Sequence, residues 1–325
     1  MQMWSRIQAA RLRRGGFRAL ARGGLTAFFS QGPQGLRRYL APGRAQSGTD
    51  TAQDNSATSQ PSPVPPAPGE MRGIAVVVHV FYPELWPELA AYLENIPDAF
   101  DLYVSTVASH ADEVTAAVAG GYPQARVVVR PNRGRDMGPF LYLLQEFGLE
   151  RYPLICKLHT KKSPHRNDGD AWRNDLYARL MGSRDTVRNI VRRFAEEPQL
   201  GLLGPAGHLA HYRFYWGANR RRVRKLCDRL GIGLDGLDFE FVAGSMFWCR
   251  GAALRKVRDL AITLDEFEAE DGQLDGTLAH AMERVLPLAA FAGGFHTLAT
   301  DSAQGACNPR RVAATRSLRD YLFFR

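Results

Sequence analysis

Cationic and hydroxyl side chains are concentrated in the stretch KLHTKKSPHR, residues 157–166, directly after an apolar run. That run, LICKL at 154–158, has the composition of a buried strand. Ligands bind beyond the carboxyl ends of the strands in parallel α/β sheets. We therefore expect this stretch to hold a ligand, through Lys157, His159, Thr160, Lys161 and Lys162.

Polar side chains also follow three other strand-like runs, GIAVVVHVF at 73–81, FDLYVSTV at 100–107 and ARVVVRPN at 125–132. A parallel sheet brings the carboxyl ends of its strands to one edge. The residues expected at that edge are His79, Phe81, Tyr82, Ser105, Thr106, Asn132, Arg133, Gly134, Arg135 and Asp136. This cationic group suits a phosphate-bearing ligand, because Arg and Lys neutralise phosphate and backbone N–H groups can cradle it.

The segment NRGRDMGPF at 132–140 has two interpretations. Gly134 would let the backbone approach a ligand closely, Arg133 and Arg135 would offer bidentate forks, and Asp136 would pair with an Arg or accept from a ribose hydroxyl. Alternatively, the segment is a tight turn with Asp136 as the N-cap of the following helix. The two roles can coexist.

A metal site is not expected from the histidines. His159 and His165, like His208 and His211, lack a Cys or carboxylate at ligand spacing, and the lysines beside His159 would repel a divalent cation. We predict no cofactor, with a divalent cation as the alternative that we do not favour.

The core has one acid-dense segment, FEAEDGQLDGTLAHAMERV at 267–285. Its acids, including Asp271 and Asp275, precede a helix that contains His280. Acids at a helix start are favoured by the helix macrodipole alone. The other interpretation is a general base beside a cationic pocket, which could activate an acceptor hydroxyl.

Upstream of the acids, the run FVAGSMFWCR at 241–250 is too apolar for a surface loop. Gly244 and Ser245 would let a ligand approach, and Trp248 would pack in the core or face a sugar.

Predicted strands and helices alternate along the chain around these residues. Four strand–helix units between 73 and 160 predict an α/β fold with a doubly wound, mostly parallel Rossmann-like sheet flanked by helices. Further helices are expected at about 171–198, 219–231 and 275–286, with a strand at 200–205.

Four zones divide the chain: an Arg-rich segment at 1–43, a Pro-rich disordered linker at 44–70, a domain at 71–300 and a tail at 301–325. The first 70 residues hold nine Arg, no Lys and three acids, and so carry +6 of the net +9. The folded part is therefore nearly balanced, which argues against a nucleic-acid partner. The Arg-rich segment would contact a membrane surface, act as a transit peptide or form a poorly ordered extension.

Four scattered cysteines without a CxxC pair indicate free thiols in a reducing compartment, hence a cytoplasmic protein. No apolar run approaches the roughly 20 residues that span a bilayer. A peripheral position at the inner face of the cytoplasmic membrane is the expectation if the Arg-rich segment contacts lipid.

Six strings, in order, carry a resemblance: VHVFYPELWPEL, NRGRDMGPFL, KLHTKKSPH, WRNDLYARLMGS, AGSMFWCR and QLDGTLAHAMER. Together they resemble a GT-A glycosyltransferase and, more closely, the rhamnan synthesis protein F family, over about residues 72–300. The resemblance implies a transferase that moves a sugar, L-rhamnose from dTDP-L-rhamnose, onto a cell-surface polysaccharide or lipid-linked glycan with inversion. A non-catalytic sugar-binding component of polysaccharide assembly is the alternative.

The resemblance also implies roles for residues. Where the GT-A pattern has a metal-binding DxD, this chain has His159, Thr160 and Lys161, so the basic loop would stabilise the diphosphate without a metal. The base position falls within 270–275, where we favour Asp275 and then Asp271. The acceptor would contact Gly244, Ser245, Trp248 and His280, and the donor the strand-end residues named above.

Overall fold

The computed structural model describes residues 72–162, 169–303 and 308–311. The predictions for 1–43 and 44–70, and most of those for 301–325, concern residues outside these ranges. The helices are α1 Trp86–Leu93, α2 Ala111–Gly121, α3 Met137–Phe147, α4 Gly169–Met181, α5 Arg184–Glu196, α6 Tyr212–Tyr215, α7 Arg220–Arg229, α8 Arg255–Asp259 and α9 Leu278–Ala292.

The strands are β1 Ile74–His79, β2 Phe100–Thr106, β3 Arg126–Val129, β4 Leu154–His159, β5 Leu200–Gly204, β6 Leu209–His211, β7 Leu237–Asp238, β8 Glu240–Val242, β9 Phe247–Arg250, β10 His296–Ala299 and β11 Arg310–Arg311. Seven of them form the central sheet, in the order β10-β5-β9-β4-β1-β2-β3. Strand β9 runs antiparallel to both β4 and β5, and the other neighbours are parallel. The predicted α/β fold with a mostly parallel, Rossmann-like sheet flanked by helices is confirmed.

Side chains alternate between two cores because successive residues of a strand face opposite sides of the sheet. In β1, Ala75 and Val77 enter one core, which α3, α7, α8 and α9 cover. Ile74, Val76 and Val78 enter the other, which α1, α2, α4 and α5 cover. Both faces of the sheet are therefore buried, as continuous apolar strands predict.

The structure refines two predicted helices and shows a turn within the apolar run at 241–250. The helical region at 171–198 is two helices, because Gly182 ends α4 and Ser183 caps α5 by accepting from the backbone N–H of Thr186 at 3.1 Å. In the run at 241–250, the turn separates β8 from β9. The last long helix begins at Leu278, after its N-cap Thr277, and continues through Pro287 to Ala292.

None of the described helices is both long enough and apolar enough to cross a bilayer.

A buried chain of hydroxyl groups ties β2 to the segment before β4. The Tyr103 hydroxyl lies 2.8 Å from the Tyr152 hydroxyl, which donates to Asp101 Oδ2 at 2.7 Å. Because Tyr152 donates to the carboxylate, Tyr103 must donate to Tyr152.

We expect Tyr152→Phe to lower the free energy of unfolding by about 1–3 kcal/mol, because the buried Tyr103 hydroxyl loses its acceptor. The double variant Tyr103→Phe/Tyr152→Phe should cost less than the sum of the two single changes, since no unpaired hydroxyl remains. Urea denaturation of the four proteins measures this cycle, and strictly additive costs would contradict the assignment.

Candidate active site

Three neighbouring strands carry polar side chains at or near their carboxyl ends, on the face of the sheet that α3 and α9 cover. His79 ends β1, His159 ends β4, and Ser105 lies next to the end of β2. Lys157 precedes His159 by two residues, so it points to the same side of the sheet. All four are buried, with at most 7% of each residue exposed. Polar side chains therefore meet at the ends of these strands, as predicted, but they are buried beneath the protein surface at that edge of the sheet.

A buried ion pair lies at the centre of this cluster. The Lys157 ammonium donates to Asp136 Oδ2 at 2.5 Å and to the Ser245 carbonyl at 2.8 Å. The Ser245 hydroxyl donates to the same carboxylate oxygen at 2.6 Å. Burial opposes ionisation of Asp136, but His159, Lys157 and these hydrogen bonds hold the pKa of its carboxyl well below the usual range. Asp136 is thus an anion that fixes the start of α3 against β4 and the turn before β9.

The two histidines of the cluster are neutral at physiological pH. Burial is the main reason that the pKa of His79 falls to about 4 and that of His159 to about 3; the negative charge of Asp136 opposes this shift, and the positive charge of Lys157 adds to it. His79 Nδ1 lies 3.0 Å from the Ser105 hydroxyl. His159 Nδ1 is 3.5 Å from Asp136 Oδ2 and has no hydrogen-bond partner among the described residues.

Thr160 joins the loops that follow β1 and β4. Its hydroxyl oxygen accepts from the backbone N–H groups of Phe81 and Tyr82 at 3.0 and 2.9 Å, and its own N–H donates to the His79 carbonyl at 2.9 Å. Thr106 acts similarly, because its hydroxyl donates to the Val80 carbonyl at 2.8 Å. Both threonines therefore position the loops rather than offer a free hydroxyl.

The two lysines after Thr160 rest on aromatic rings. The Lys161 ammonium is 4.1 Å from the centre of the Trp172 ring, and that of Lys162 is 5.0 Å from the centre of the Tyr82 ring. Lys162 also forms an ion pair with Glu84. The loop thus holds two cations on a partly exposed aromatic rim.

A buried arginine, missed as a structural residue by sequence reasoning, holds that rim in place. Arg173 donates to both carboxylate oxygens of Glu88 at 3.0 and 2.9 Å, to Asp170 at 2.7 Å and to the Lys161 carbonyl at 3.1 Å. It therefore connects α4 to α1 and to the cationic loop.

The loop at 132–138 packs against the acid-dense segment. Gly134 has a φ of +72°, and a Cβ there would lie 2.6 Å from the Phe267 ring. Arg135 donates to both oxygens of Glu270 at 3.1 Å and to the Gln273 carbonyl, and its Nη1 lies 3.2 Å from His280 Nε2. Arg133 likewise donates to the Phe267 carbonyl at 3.3 Å. The segment is thus a tight turn whose arginines bind oxygens of the protein itself, while Asn132 is exposed. Asp136 stands at the N-cap position of α3 without a side-chain cap hydrogen bond, and it pairs with Lys157 and not with an arginine, which corrects that part of the prediction.

The acid that we favoured as a base has two partners in the structure. Asp275 accepts from the Ala218 N–H at 2.8 Å and from the Asn219 side-chain amide at 2.6 Å, so it anchors the loop before α7. Asp271 is exposed, in the loop before Gln273. Neither carboxyl is buried.

A further carboxyl, Glu283, comes from α9. Its side chain is 22% exposed, and its Oε2 lies 3.6 Å from Arg284 Nη1. Burial raises the pKa of Glu283 to about 7 against the opposing charge of Arg284, and the charges of Asp136 and Lys161 also act on it. A carboxyl with a pKa near neutrality can take up and release a proton at working pH.

The residues proposed for the acceptor separate into two groups. Gly244 and Ser245 lie in the turn before β9, where a Cβ on Gly244 would be 3.5 Å from the Trp172 ring. Trp248 does not lie near them: it is fully buried in the opposite core and its Nε1 donates to the Leu180 carbonyl at 3.2 Å. This corrects the prediction, and the reason is strand alternation, which points Phe247 towards the site side and Trp248 away from it.

No group of three or more His, Cys, Asp or Glu side chains that could hold a metal ion occurs within residues 72–162, 169–303 and 308–311. The three described cysteines, Cys156, Cys227 and Cys249, are buried free thiols.

Comparisons with known proteins add family evidence. The sequence pattern of rhamnan synthesis protein F matches residues 62–295. The chain is 35% identical over 250 residues to the uncharacterized protein WxcX of Xanthomonas campestris pv. campestris, in two strains. That match covers 77% of this chain and 35% of WxcX, so the chain spans about a third of the length of these relatives. Among solved structures, 4-diphosphocytidyl-2C-methyl-D-erythritol synthase is similar over 77% of this chain and 96% of that one, at 13% identity and a TM-score of 0.35.

We expect Thr160→Val to lower the free energy of unfolding by about 1–3 kcal/mol, because two backbone N–H groups lose their acceptor while the volume is kept. Thr160→Ser, which keeps the hydroxyl, is the matched control and should lose much less. Urea denaturation compares them, and equal losses for Val and Ser would show that the hydroxyl does not hold the two loops together.

Glu283 should make the protein less stable as the pH rises. Its pKa in the folded state, about 7, exceeds the 4.5 of an unperturbed glutamate. The folded state therefore binds the proton more tightly, and this stabilisation is lost between about pH 4.5 and 7. The difference in free energy of unfolding between Glu283→Gln and the parent should rise from near zero at pH 4 to about 1–3 kcal/mol in favour of Gln at pH 8. A difference that does not change with pH would mean that the carboxyl is not perturbed.

Proposed function

Since this chain belongs to the rhamnan synthesis protein F family, we propose that it is a glycosyltransferase that moves a sugar from a nucleotide donor onto a glycan in polysaccharide synthesis. The observation that carries the proposal is the cationic loop at the carboxyl edge of the sheet, where Lys161 lies on the Trp172 ring and Lys162 on the Tyr82 ring. The partly buried carboxyl of Glu283 is close enough to Lys161 for that charge to act on its pKa. A cation for the leaving group and a carboxyl for the acceptor are the two groups that sugar transfer requires.

The donor in this proposal is dTDP-L-rhamnose, and the acceptor is a cell-surface polysaccharide or lipid-linked glycan. An acceptor hydroxyl oxygen attacks the anomeric carbon while the bond to the diphosphate oxygen breaks, and that oxygen leaves with the electron pair. The hydroxyl proton passes to a carboxylate of the protein. Because one displacement occurs, the anomeric configuration inverts.

The cationic loop supplies the electrostatic part of the reaction. Lys161 and Lys162 would neutralise the negative charge that grows on the leaving diphosphate. His79 and His159 are buried beneath this loop, and as neutral imidazoles they would add no charge below the bound donor. The buried Lys157–Asp136 pair does not contact the donor in this scheme, but it holds the loop, the start of α3 and Ser245 in one arrangement.

Three carboxyls are candidates for the base. Asp275 and Asp271 are the sequence-based choices, and Glu283 is added by its raised pKa and its position beside the cationic loop. Asp275 already accepts two hydrogen bonds, and that engagement favours Glu283 as the proton acceptor.

The same engagement favours a second function, a non-catalytic sugar-nucleotide or glycan-binding component of polysaccharide assembly. Such a protein would bind the donor but leave its glycosidic bond intact. We further propose a cytoplasmic location, consistent with the buried free thiols.

Binding of dTDP-rhamnose, measured by calorimetry beside UDP and GDP sugars with and without EDTA, tests the proposal. Lys161→Ala should weaken donor binding about 10- to 100-fold, since a charge-assisted contact to phosphate contributes roughly 1.5–3 kcal/mol. Lys256→Ala, at an exposed lysine of α8, is the control and should bind like the parent. Absence of binding by every nucleotide sugar would refute the proposal, and binding restored only by manganese would refute the metal-free form.

Transfer to an acceptor then separates the bases. Glu283→Gln should lower kcat by about 100-fold or more with donor affinity unchanged, because proton removal is lost and the diphosphate contacts remain. Asp275→Asn should keep most of the activity of whatever protein stays folded. Donor binding without hydrolysis or transfer in the parent would support the non-catalytic alternative.

A further inference from the structure

Helix α7 carries an unusual concentration of positive charge. Its sequence, RRRVRKLCDR, has six cations and one acid in ten residues. Val223, Leu226 and Cys227 form its buried side, against the core under α9. The cations occupy the remaining faces.

This charge distribution works against the helix itself. Three arginines occupy the first turn, where the positive end of the helix macrodipole disfavours cations. Arg220 and Arg224, like Arg221 and Lys225, are spaced i, i+4 and so repel each other. Acidic residues in the first turn and at one position of each i, i+4 pair would stabilise the isolated helix. A bound anionic surface would instead reduce the repulsion between the cations.

Four of the six cations have no counter-charge in the part of the chain that the structure describes. Arg220, Arg221, Arg224 and Lys225 are exposed and form no hydrogen bond or ion pair with described residues. The other two are engaged: Arg222 with Glu268 and the Gly276 carbonyl, and Arg229 with the Leu260 carbonyl and Glu266.

Two apolar side chains border these cations. Phe214, 39% exposed, and Leu274, 67% exposed, are the large hydrophobic residues that stand out from the described surface. Asp275 binds Ala218 and Asn219, which brings Leu274 next to the start of α7. Arg284 binds the Tyr215 carbonyl at 3.0 and 2.7 Å, which fixes the segment of Phe214 to α9, the helix against which α7 packs.

We propose that this α7 surface docks on an anionic lipid bilayer. It comprises Arg220, Arg221, Arg224, Lys225, Phe214 and Leu274. The cations would attract the anionic headgroups, and the two apolar side chains would enter the boundary between headgroups and acyl chains. A nucleic-acid backbone would use the charges but not an exposed Leu, so the combination favours lipid. The inference does not rest on the glycosyltransferase activity.

Docking at this surface sets the site beside the membrane. Arg222 ties α7 to Glu268 and Gly276, which lie in the acid-dense segment. That segment in turn contacts Arg135, in the loop after β3. A bilayer on α7 therefore lies next to the carboxylate side of the candidate active site.

The test is co-sedimentation of the full chain with vesicles of phosphatidylcholine, alone or mixed with phosphatidylglycerol. The parent should bind the mixed vesicles, and added salt should weaken binding. Arg220→Ala/Arg224→Ala should bind about thirty-fold more weakly, since each cation near such a surface contributes about 1 kcal/mol. Leu274→Ser should also weaken binding, without changing its salt dependence.

The matched control is Arg184→Ala/Arg192→Ala, which removes two exposed cations from α5 on the opposite face of the sheet. It should bind like the parent. The α7 variant should melt at an unchanged or higher temperature, because it has lost like-charge repulsion, and this separates lost docking from lost folding.

Three results would overturn the proposal. These are equal loss of binding in the α5 control, loss only on Arg13→Ala/Arg14→Ala in the N-terminal segment, and binding to neutral vesicles as tight as to mixed ones. Tighter binding of RNA than of mixed vesicles, unaffected by Leu274→Ser, would assign the surface to nucleic acid instead.

Discussion

The ion pair between Lys157 and Asp136 is the interaction on which the arrangement of the site depends. It joins the fourth strand of the chain to the first turn of α3, and through Ser245 to the turn before β9. Removing one partner of such a buried pair typically costs about 3–5 kcal/mol, because the other charge is left without compensation. The pair therefore fixes the relative positions of three segments that are far apart in sequence: β4, the start of α3 and the turn before β9.

The charges of this pair also act on each other and on the groups around them. An ammonium that is almost fully buried keeps its charge only beside a carboxylate, and the carboxylate stays ionised only beside the ammonium. The same charges act on His79 and His159, which burial already makes neutral. The interior of the edge thus carries little net charge, while the cations of the following loop lie outside it on aromatic rings. A ligand phosphate would meet Lys161 and Lys162 without disturbing the pair beneath them.

Much of the fold follows from the sequence. Continuous apolar runs such as IAVVVH and LICKLH specify buried strands, and their spacing with amphipathic segments specifies the parallel units. The antiparallel direction of β9 could not be read from FWCR, because strand direction depends on tertiary pairing and not on composition. Trp248 was misassigned for a related reason: one residue of register decides which face a side chain enters. Asp136 and Lys157 were recognised as site residues, but their pairing was not, since 21 residues and a whole helix separate them. From the sequence, Glu283 could only be placed on the same helix face as His280, three residues earlier. Nothing in the sequence showed that the Glu283 carboxyl would be largely buried near the charge of Lys161.

The antiparallel strand β9 has a consequence for the order in which the site forms during synthesis. Because β9 runs antiparallel to β4 and β5, its first residues, not its last, lie at the edge where the parallel strands end. The partner atoms of Lys157 on Ser245 are thus supplied by a segment that follows it by 88 residues. A chain emerging from the ribosome would already have the strands β1 to β4 when that segment was still unmade. Lys157 would then have only part of its final surroundings, and the site could assemble only after that segment had been made.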